Sequence, residues 1–305
     1  MEFLETGGRQ GDLSTHQFDL TAVNNGTLAL FISGLIGLAA LLTGCRDSGV
    51  PPQLAAYDYA TAIVTSRCET GTKSGLVGIS DGEAAGDGVR YHVRTPSNYD
   101  ATFAHPLLLV YAAAGQSGLA SERMTGLTTV ATGAGFVVVY ADHRPLGLPS
   151  IEQLAAIPRI VAKKWCVDEK RIAVTGHSDG GTVAMALAVL EQTKQIPAAI
   201  APSAAGWTGK DLEAYQCRSP LPVMVMHNER DRLFPGWGTQ TAAWWAACNR
   251  CDSVKRKLLG GECLAYQHCA SGGATLYCEG TGAHQDWPNF NRVMIEFFAH
   301  PEKFL

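Results

Sequence analysis

The sequence predicts an α/β fold, a mostly parallel central sheet with helices on both faces. Three observations carry that expectation. From about residue 60 onward, short β-branched runs alternate with helical stretches, the pattern of a parallel sheet covered on both sides. One of those runs, Ile172-Ala173-Val174-Thr175, leads through Gly176-His177-Ser178-Asp179-Gly180 directly into a helical stretch, a sharp strand-to-helix turn. The chain of 305 residues, 46% hydrophobic and 17% charged, has an ordinary globular composition and is long enough to bury one large core.

The elements follow in order. Residues 28–42 form an apolar run of 15 residues ending in Leu42-Thr43-Gly44-Cys45. A membrane span needs roughly 20 residues, so the run suits the hydrophobic part of an export signal. Its last four residues resemble a bacterial lipobox, in which the cysteine becomes the lipidated first residue; Cys45 is then the expected lipidation site and a membrane anchor. The preceding 27 residues hold Glu2, Glu5, Asp12 and Asp19 against the single Arg9. A signal start should be short and positive, so a true start later than Met1 is expected, the alternative being an uncleaved N-terminal anchor. Residues 46–60, rich in Gly, Pro, Ser and Ala, read as a tether, and residues 61–305 as one catalytic domain.

Within that domain, 89–93, 107–111 and 136–140 are predicted strands, and 150–164 is a helix with an apolar stripe. Strand 171–175 precedes the helical run 181–190. Strands 198–201 and 223–227, helix 240–248, strand 274–278 and a closing helix 292–298 complete the series. Such a sheet carries its site at the carboxyl ends of its strands.

Charge and cysteine content narrow the setting. A net charge of -4, with Lys and Arg scattered along the chain, leaves no basic footprint for nucleic acid. No self-similarity of repeat length is present. Of nine cysteines, Cys45 aside, the remaining eight are Cys68, Cys166, Cys217, Cys248, Cys251, Cys263, Cys269 and Cys278. An even number in an exported chain reads as disulfides. Cys248-x-x-Cys251 followed by Cys263 and Cys269 is also a spacing that zinc could use, but thiols in an oxidising compartment pair with one another. No metal and no cofactor is expected.

The chemistry centres on Ser178. G-x-S-x-G needs its glycines because side chains two residues either side of a nucleophile on so tight a turn would collide as strand and helix converge. A serine hydroxyl is a weak nucleophile until a base removes its proton, and this turn resembles the nucleophile turn of α/β hydrolases, in which the triad follows the order Ser, acid, His. Asp231 lies just after strand 223–227, with Glu229 as rival acid. His284 lies between the last strand and the last helix, as the base should. His143 precedes the serine, and His177 is directed away by the turn. The oxyanion hole calls for two N–H donors: Asp179, next to the nucleophile, and Ala114, in the small-residue loop 111–118. Gln116 in that loop and Trp287 beside the base are candidate substrate contacts, although Trp287 fits a core or rim position equally.

These segments together resemble the esterase group of polyhydroxybutyrate depolymerases, feruloyl esterases and acetylxylan esterases. The likeness rests on the stretch from Cys166 to Gly181, on His227 to Pro235, and on Tyr266-Gln267-His268-Cys269 through His284-Gln285-Asp286-Trp287-Pro288. It spans about residues 68–300. The resemblance implies a serine esterase acting through an acyl-enzyme on hydroxyalkanoate esters, with feruloyl or acetylxylan esters as the alternative substrates. A lipid-anchored binding protein on the same fold is the alternative of another class. Where the group usually carries His-Gly in the oxyanion loop, this chain has Ala112-Ala113, so only backbone donors remain there. Members that attack solid polyester generally carry an extra substrate-binding module, and with the sequence reaching Leu305 soon after its last helix the expectation is soluble oligomers or small esters rather than solid polymer. The resemblance also implies a Cys251–Cys269 disulfide, whose loss is expected to loosen the segment delivering His284; the other pairings stay open.

Overall fold

The computed structural model describes residues 66–305, except 218–219 and 259–262, together with residue 56. The expected export segment, the lipidation site Cys45 and nearly all of the tether lie outside the described residues.

Ten strands form one sheet in the order β1-β2-β4-β3-β5-β6-β7-β10-β9-β8. They are β1 (Ile79–Ala84), β2 (Arg90–Arg94), β3 (His105–Tyr111), β4 (Val137–Ala141), β5 (Val167–His177), β6 (Ala199–Ser203), β7 (Val223–Asn228), β8 (Lys255–Lys257), β9 (Cys263–Tyr266) and β10 (Thr275–Gly280). From β4 to β10 all neighbours are parallel. The margins β1-β2-β4 and β10-β9-β8 are antiparallel. The parallel centre consists of the apolar runs legible in the sequence, because a strand buried on both faces must be apolar at every position. Exposure is concentrated in the outermost strands: β1 is largely exposed, and β8 is Lys255-Arg256-Lys257, entirely exposed, a polar edge that does not invite pairing with another chain.

Helices α1 (Gly118–Thr125), α2 (Leu127–Gly133), α3 (Leu148–Ala155), α4 (Ile157–Lys164), α5 (Asp179–Val189), α6 (Gly209–Leu212), α7 (Trp237–Cys248) and α8 (Asn291–Ala299) cover the faces. Alternate residues of each central strand feed two separate cores. Leu107, Leu109, Val137, Val139, Val174, Val223 and Val225 join one; Leu108, Val110, Val138, Tyr140, Met224 and Met226 join the other. Each such fully buried aliphatic side chain contributes roughly 1.5–3 kcal/mol. Helix α5 is buried from Gly180 to Val189, and its apolar residues run all round it, as befits a helix enclosed in the protein.

The helix expected over 150–164 is two, α3 and α4. Pro158 sits in the first turn of α4 and has no N–H to offer the preceding turn, so the chain turns at Ala156 and restarts. No element is predicted between β3 and β4, and α1 and α2 stand there. Arg94 of β2 makes a buried two-pronged ion pair with Glu122 of α1, at 2.8 and 2.6 Å. Gly118 lets α1 start against β4, since a Cβ there would lie 2.4 Å from the Tyr140 carbonyl oxygen.

All eight cysteines named above are paired: Cys68–Cys166, Cys217–Cys248, Cys251–Cys269 and Cys263–Cys278. Cys248 and Cys251 of the C-x-x-C thus go to different partners, and no thiol of the four is left for zinc.

Candidate active site

The parallel register brings the carboxyl ends of β4, β3, β5, β7 and β10 together at one end of the sheet. Tyr111 at the end of β3 pairs with both Ala141 of β4 and Gly176 of β5. Asn228 at the end of β7 pairs with Gly280 of β10. The loops that leave these strands converge on the turn between β5 and α5.

At that turn Ser178 has φ 54° and ψ −115°, a conformation that costs on the order of 1–3 kcal/mol for a residue with a side chain. The surroundings enforce it. The Ser178 N–H donates to the Ser203 carbonyl at 2.9 Å, and its own carbonyl accepts from Thr182 N–H at 2.9 Å. A Cβ at Gly176 would lie 2.5 Å from Gly180, one at Gly180 2.0 Å from the Tyr111 carbonyl oxygen, and one at Gly181 2.4 Å from the Ser203 carbonyl oxygen. The glycines are therefore demanded by close backbone approach on both sides of the serine.

Ser178, His284 and Asp231 meet in one chain of hydrogen bonds. Ser178 Oγ donates to His284 Nε2 at 3.0 Å, and His284 Nδ1–H donates to Asp231 Oδ2 at 2.8 Å. The second carboxylate oxygen of Asp231 accepts the N–H groups of Leu233 and Phe234, each at 2.9 Å. Burial drives the Asp231 carboxyl up, but the hydrogen bonds from His284 and Phe234 and the neighbouring His284 and His227 outweigh it and hold it below the usual carboxylate range. Glu229, the rival acid, is exposed. Its amide belongs to the β7–β10 junction, donating to the Gly280 carbonyl at 2.9 Å.

The histidine set aside as misdirected has a place here. His177 is 2% exposed; its Nε2–H donates to the backbone carbonyl of His284 at 2.5 Å, which leaves Nδ1 to accept from Ser203 Oγ at 3.0 Å. Burial pushes its pKa down to about 4, so it stays neutral and keeps this tautomer. Asn228 holds the same loop from the end of β7, its Nδ2 donating to the carbonyls of Ala283 and Asp286, both at 2.8 Å. Neither residue was legible as part of the site, because the bond from His177 to a carbonyl 107 positions away exists only once β5 and β10 share a sheet.

Of the oxyanion candidates, Asp179 begins α5, so its N–H has no carbonyl within the helix to meet. In the loop after β3, Ala112 N–H is taken by Ala141, Gln116 N–H by Ala113 and Gly115 N–H by His143 Nδ1. The amides of Ala113, Ala114 and Ser117 are left over in this loop among the hydrogen bonds of the described residues; Ala113 and Ala114 lie nearest the end of β3, and Ala114 is exposed. Gln116 is also exposed. Trp287 packs edge-on to His177 at 6.1 Å, and its indole N–H donates to Asn291 of α8. Phe234 lies edge-on to His284 at 4.9 Å and stacks on Trp237 at 4.5 Å. Among the described residues no cluster of side chains has the make-up of a metal site.

A family model described as acetyl xylan esterase (AXE1) matches residues 108–208, from β3 through the Ser178 turn to the loop beyond β6. No curated protein matches the chain at the level of sequence. Among solved structures it is similar to an acetyl xylan esterase from Aspergillus awamori, with TM-score 0.55 and 16% identity over 72% of this chain and 98% of that one. It is similar also to a truncated carbohydrate esterase from gut microbiota, with TM-score 0.54 and 13% identity over 77% and 99% of the two chains. A third is an S-formylglutathione hydrolase, FrmB, from Staphylococcus aureus, with TM-score 0.51 and 12% identity over 72% and 96%. At these identities the likeness is one of fold, and the fold is that of the α/β hydrolases. The family match supports a serine ester hydrolase.

Proposed function

We propose that this chain hydrolyses carboxylic esters through an acyl-enzyme, with Ser178 as nucleophile, His284 as general base and Asp231 as the acid that fixes the imidazole tautomer. The observation that carries the proposal is the unbroken chain from Ser178 Oγ through both ring nitrogens of His284 to a buried carboxylate. His284 takes the Ser178 proton as Oγ attacks the ester carbonyl, then returns it to the leaving alcohol. Water, deprotonated by the same nitrogen, releases the acid and restores the serine. The N–H groups of Asp179 and of Ala114 or its neighbour Ala113 receive the negative charge on the carbonyl oxygen.

For substrate class, the proposal is an acetyl or similarly short acyl ester on a polysaccharide, ahead of the hydroxyalkanoate esters that the sequence resemblance puts first. The matched family model, which includes the Ser178 turn and is described as acetyl xylan esterase, supports that order. Four disulfides support an exported enzyme, and anchoring through a lipid on Cys45 completes the reading. Hydrolysis of acetylated xylan, hydroxybutyrate oligomers and methyl ferulate by the purified protein tests the order. Acetate release with the highest kcat/KM is expected. A preference for hydroxybutyrate oligomers would return the substrate to the polyester class, and inertness toward all three and toward nitrophenyl acetate would remove the esterase reading.

A further inference from the structure

The loop after β3 carries one of the two proposed oxyanion donors, and its residues 114–116 are exposed. A donor is useful only if it is held still where charge develops, since its advantage over water is that it needs no reorientation during the reaction. Something must tie this loop to the nucleophile turn.

The tie is at the end of β4. His143 Nδ1 accepts the Gly115 N–H at 3.1 Å, so Nε2 carries the ring proton and donates it to Asp179 Oδ2 at 3.0 Å. The His143 backbone N–H donates to the Gln116 carbonyl at 3.0 Å. Its neighbour Asp142 accepts the Gly118 N–H through Oδ1 at 2.8 Å, fixing the far end of the same loop. One imidazole thus spans the two backbone segments that carry the oxyanion donors. Both its ring nitrogens are occupied, so it has no site left to take a proton from Ser178.

The contact with Asp179 has an electrostatic side. This carboxylate belongs to the residue directly after the nucleophile, and a negative charge there opposes a negative charge forming on the substrate oxygen. The Nε2–H of His143 fixes the carboxylate in one orientation and offsets part of its charge.

We propose that His143 is a positioning residue that clamps the loop after β3 to Asp179 and so sets the spacing of the oxyanion hole. The proposal rests on the esterase reading given above. It assigns the small-residue loop a fixed geometry that its own sequence does not supply, because Ala112-Ala113-Ala114-Gly115 has no side chain that could hold it.

The test uses His143→Ala and His143→Asn in the full chain, with hydrolysis of nitrophenyl acetate and inhibition by phenylboronic acid, whose boron accepts Ser178 Oγ and forms a tetrahedral anion in the hole. Loss of a single oxyanion donor costs about 10²–10³-fold in kcat. His143→Ala is expected to lose on the order of 10²-fold in kcat, with KM within about threefold of the wild type and the boronate Ki raised in step with the loss. His143→Asn, whose amide oxygen can still accept Gly115 N–H, is expected to recover part of both. An unchanged kcat in His143→Ala overturns the proposal. So does a fall in kcat accompanied by an equal loss of thermal stability and an unaltered boronate Ki, since that describes a structural residue. Failure of the wild type to hydrolyse any ester strikes the esterase reading instead, and is seen before any variant is made.

Discussion

Two loops close on Ser178, and they are held in different ways. The loop bearing His284 is fixed from below by buried groups: His177, Asn228 and Asp231 are all at most 3% exposed, and each makes a hydrogen bond of 2.5–2.8 Å to it. The loop after β3 is exposed through residues 114–117 and is held chiefly by His143 and Asp142, which are only partly buried. The proposed base is placed by the core of the protein, the proposed oxyanion donors by its surface. Damage to the first set should therefore cost stability together with activity, and damage to the second should cost activity alone.

The largest effect expected is loss of the reacting pair itself. Ser178→Ala and His284→Ala should each lower kcat by 10⁴-fold or more, because the members of such a unit fail together. Both variants should melt close to the wild type, since each removes a partly exposed side chain. Assays with nitrophenyl acetate alongside thermal melts check both halves. Asp231→Asn should come next, with kcat lower by on the order of 10³- to 10⁴-fold, since an amide can donate to Nδ1 and stabilise the wrong tautomer. Unlike the first two, it should also be less stable, because burying a neutral amide against the Leu233 and Phe234 N–H groups removes charge-assisted bonds.

Acid should weaken the fold at its buried histidines. Burial lowers the pKa of His177 from 6.5 to about 4, and that of His105, which faces the Gly135 carbonyl, from 6.5 to about 4. Between those values the unfolded chain binds protons that the folded one refuses. Stability is therefore full above pH 6.5 and falls as pH drops toward 4, by up to about 3 kcal/mol per histidine. Asp231, whose pKa is also depressed, adds to the loss below the ordinary carboxylate range. Urea titrations at pH 7.5, 6 and 4.5 check the direction, and equal midpoints at all three would contradict it.

The smallest effect on turnover is expected from the Cys251–Cys269 bridge, although the sequence argument assigned it a hold on the base. In the structure β10, which delivers His284, is also paired with β7 over its whole length and joined to β9 by Cys263–Cys278. The double variant Cys251→Ser/Cys269→Ser should lose about 3 kcal/mol of stability for a loop of this length. Its kcat should stay within about twofold of the wild type, because the remaining pairings still fix the strand. A larger fall in kcat than in stability would restore the earlier expectation.

What the sequence made legible follows from where its signals are local. The central strands announce themselves as β-branched runs because they are buried on both faces, and the turn at Ser178 does so because its glycines answer to contacts within a few residues. The two outermost strands give no such signal. β1 is Ile79-Ser80-Asp81-Gly82-Glu83-Ala84 and β8 is Lys255-Arg256-Lys257, polar segments whose strand character comes from their neighbours. Helices α1 and α2 contain threonines and small residues in place of an apolar stripe. In the site, Ser178, Asp231 and His284 could be named from order and spacing. His177, His143 and Asn228 could not, because their role lies in bonds between loops that only the sheet order brings together. Phe234 was illegible for the same reason: the parallel pairing of β7 and β10 brings this residue of the loop after β7 edge-on to His284.

The central claim is that His284 activates Ser178 and no other hydroxyl of the chain. Its most direct measurement is labelling by a fluorophosphonate, in which a serine oxygen displaces fluoride from phosphorus, read by intact mass and peptide mapping. One adduct per chain, carried by Ser178 and absent in a folded His284→Ala variant, is the predicted result. An adduct on another residue, or undiminished labelling of His284→Ala, would contradict it.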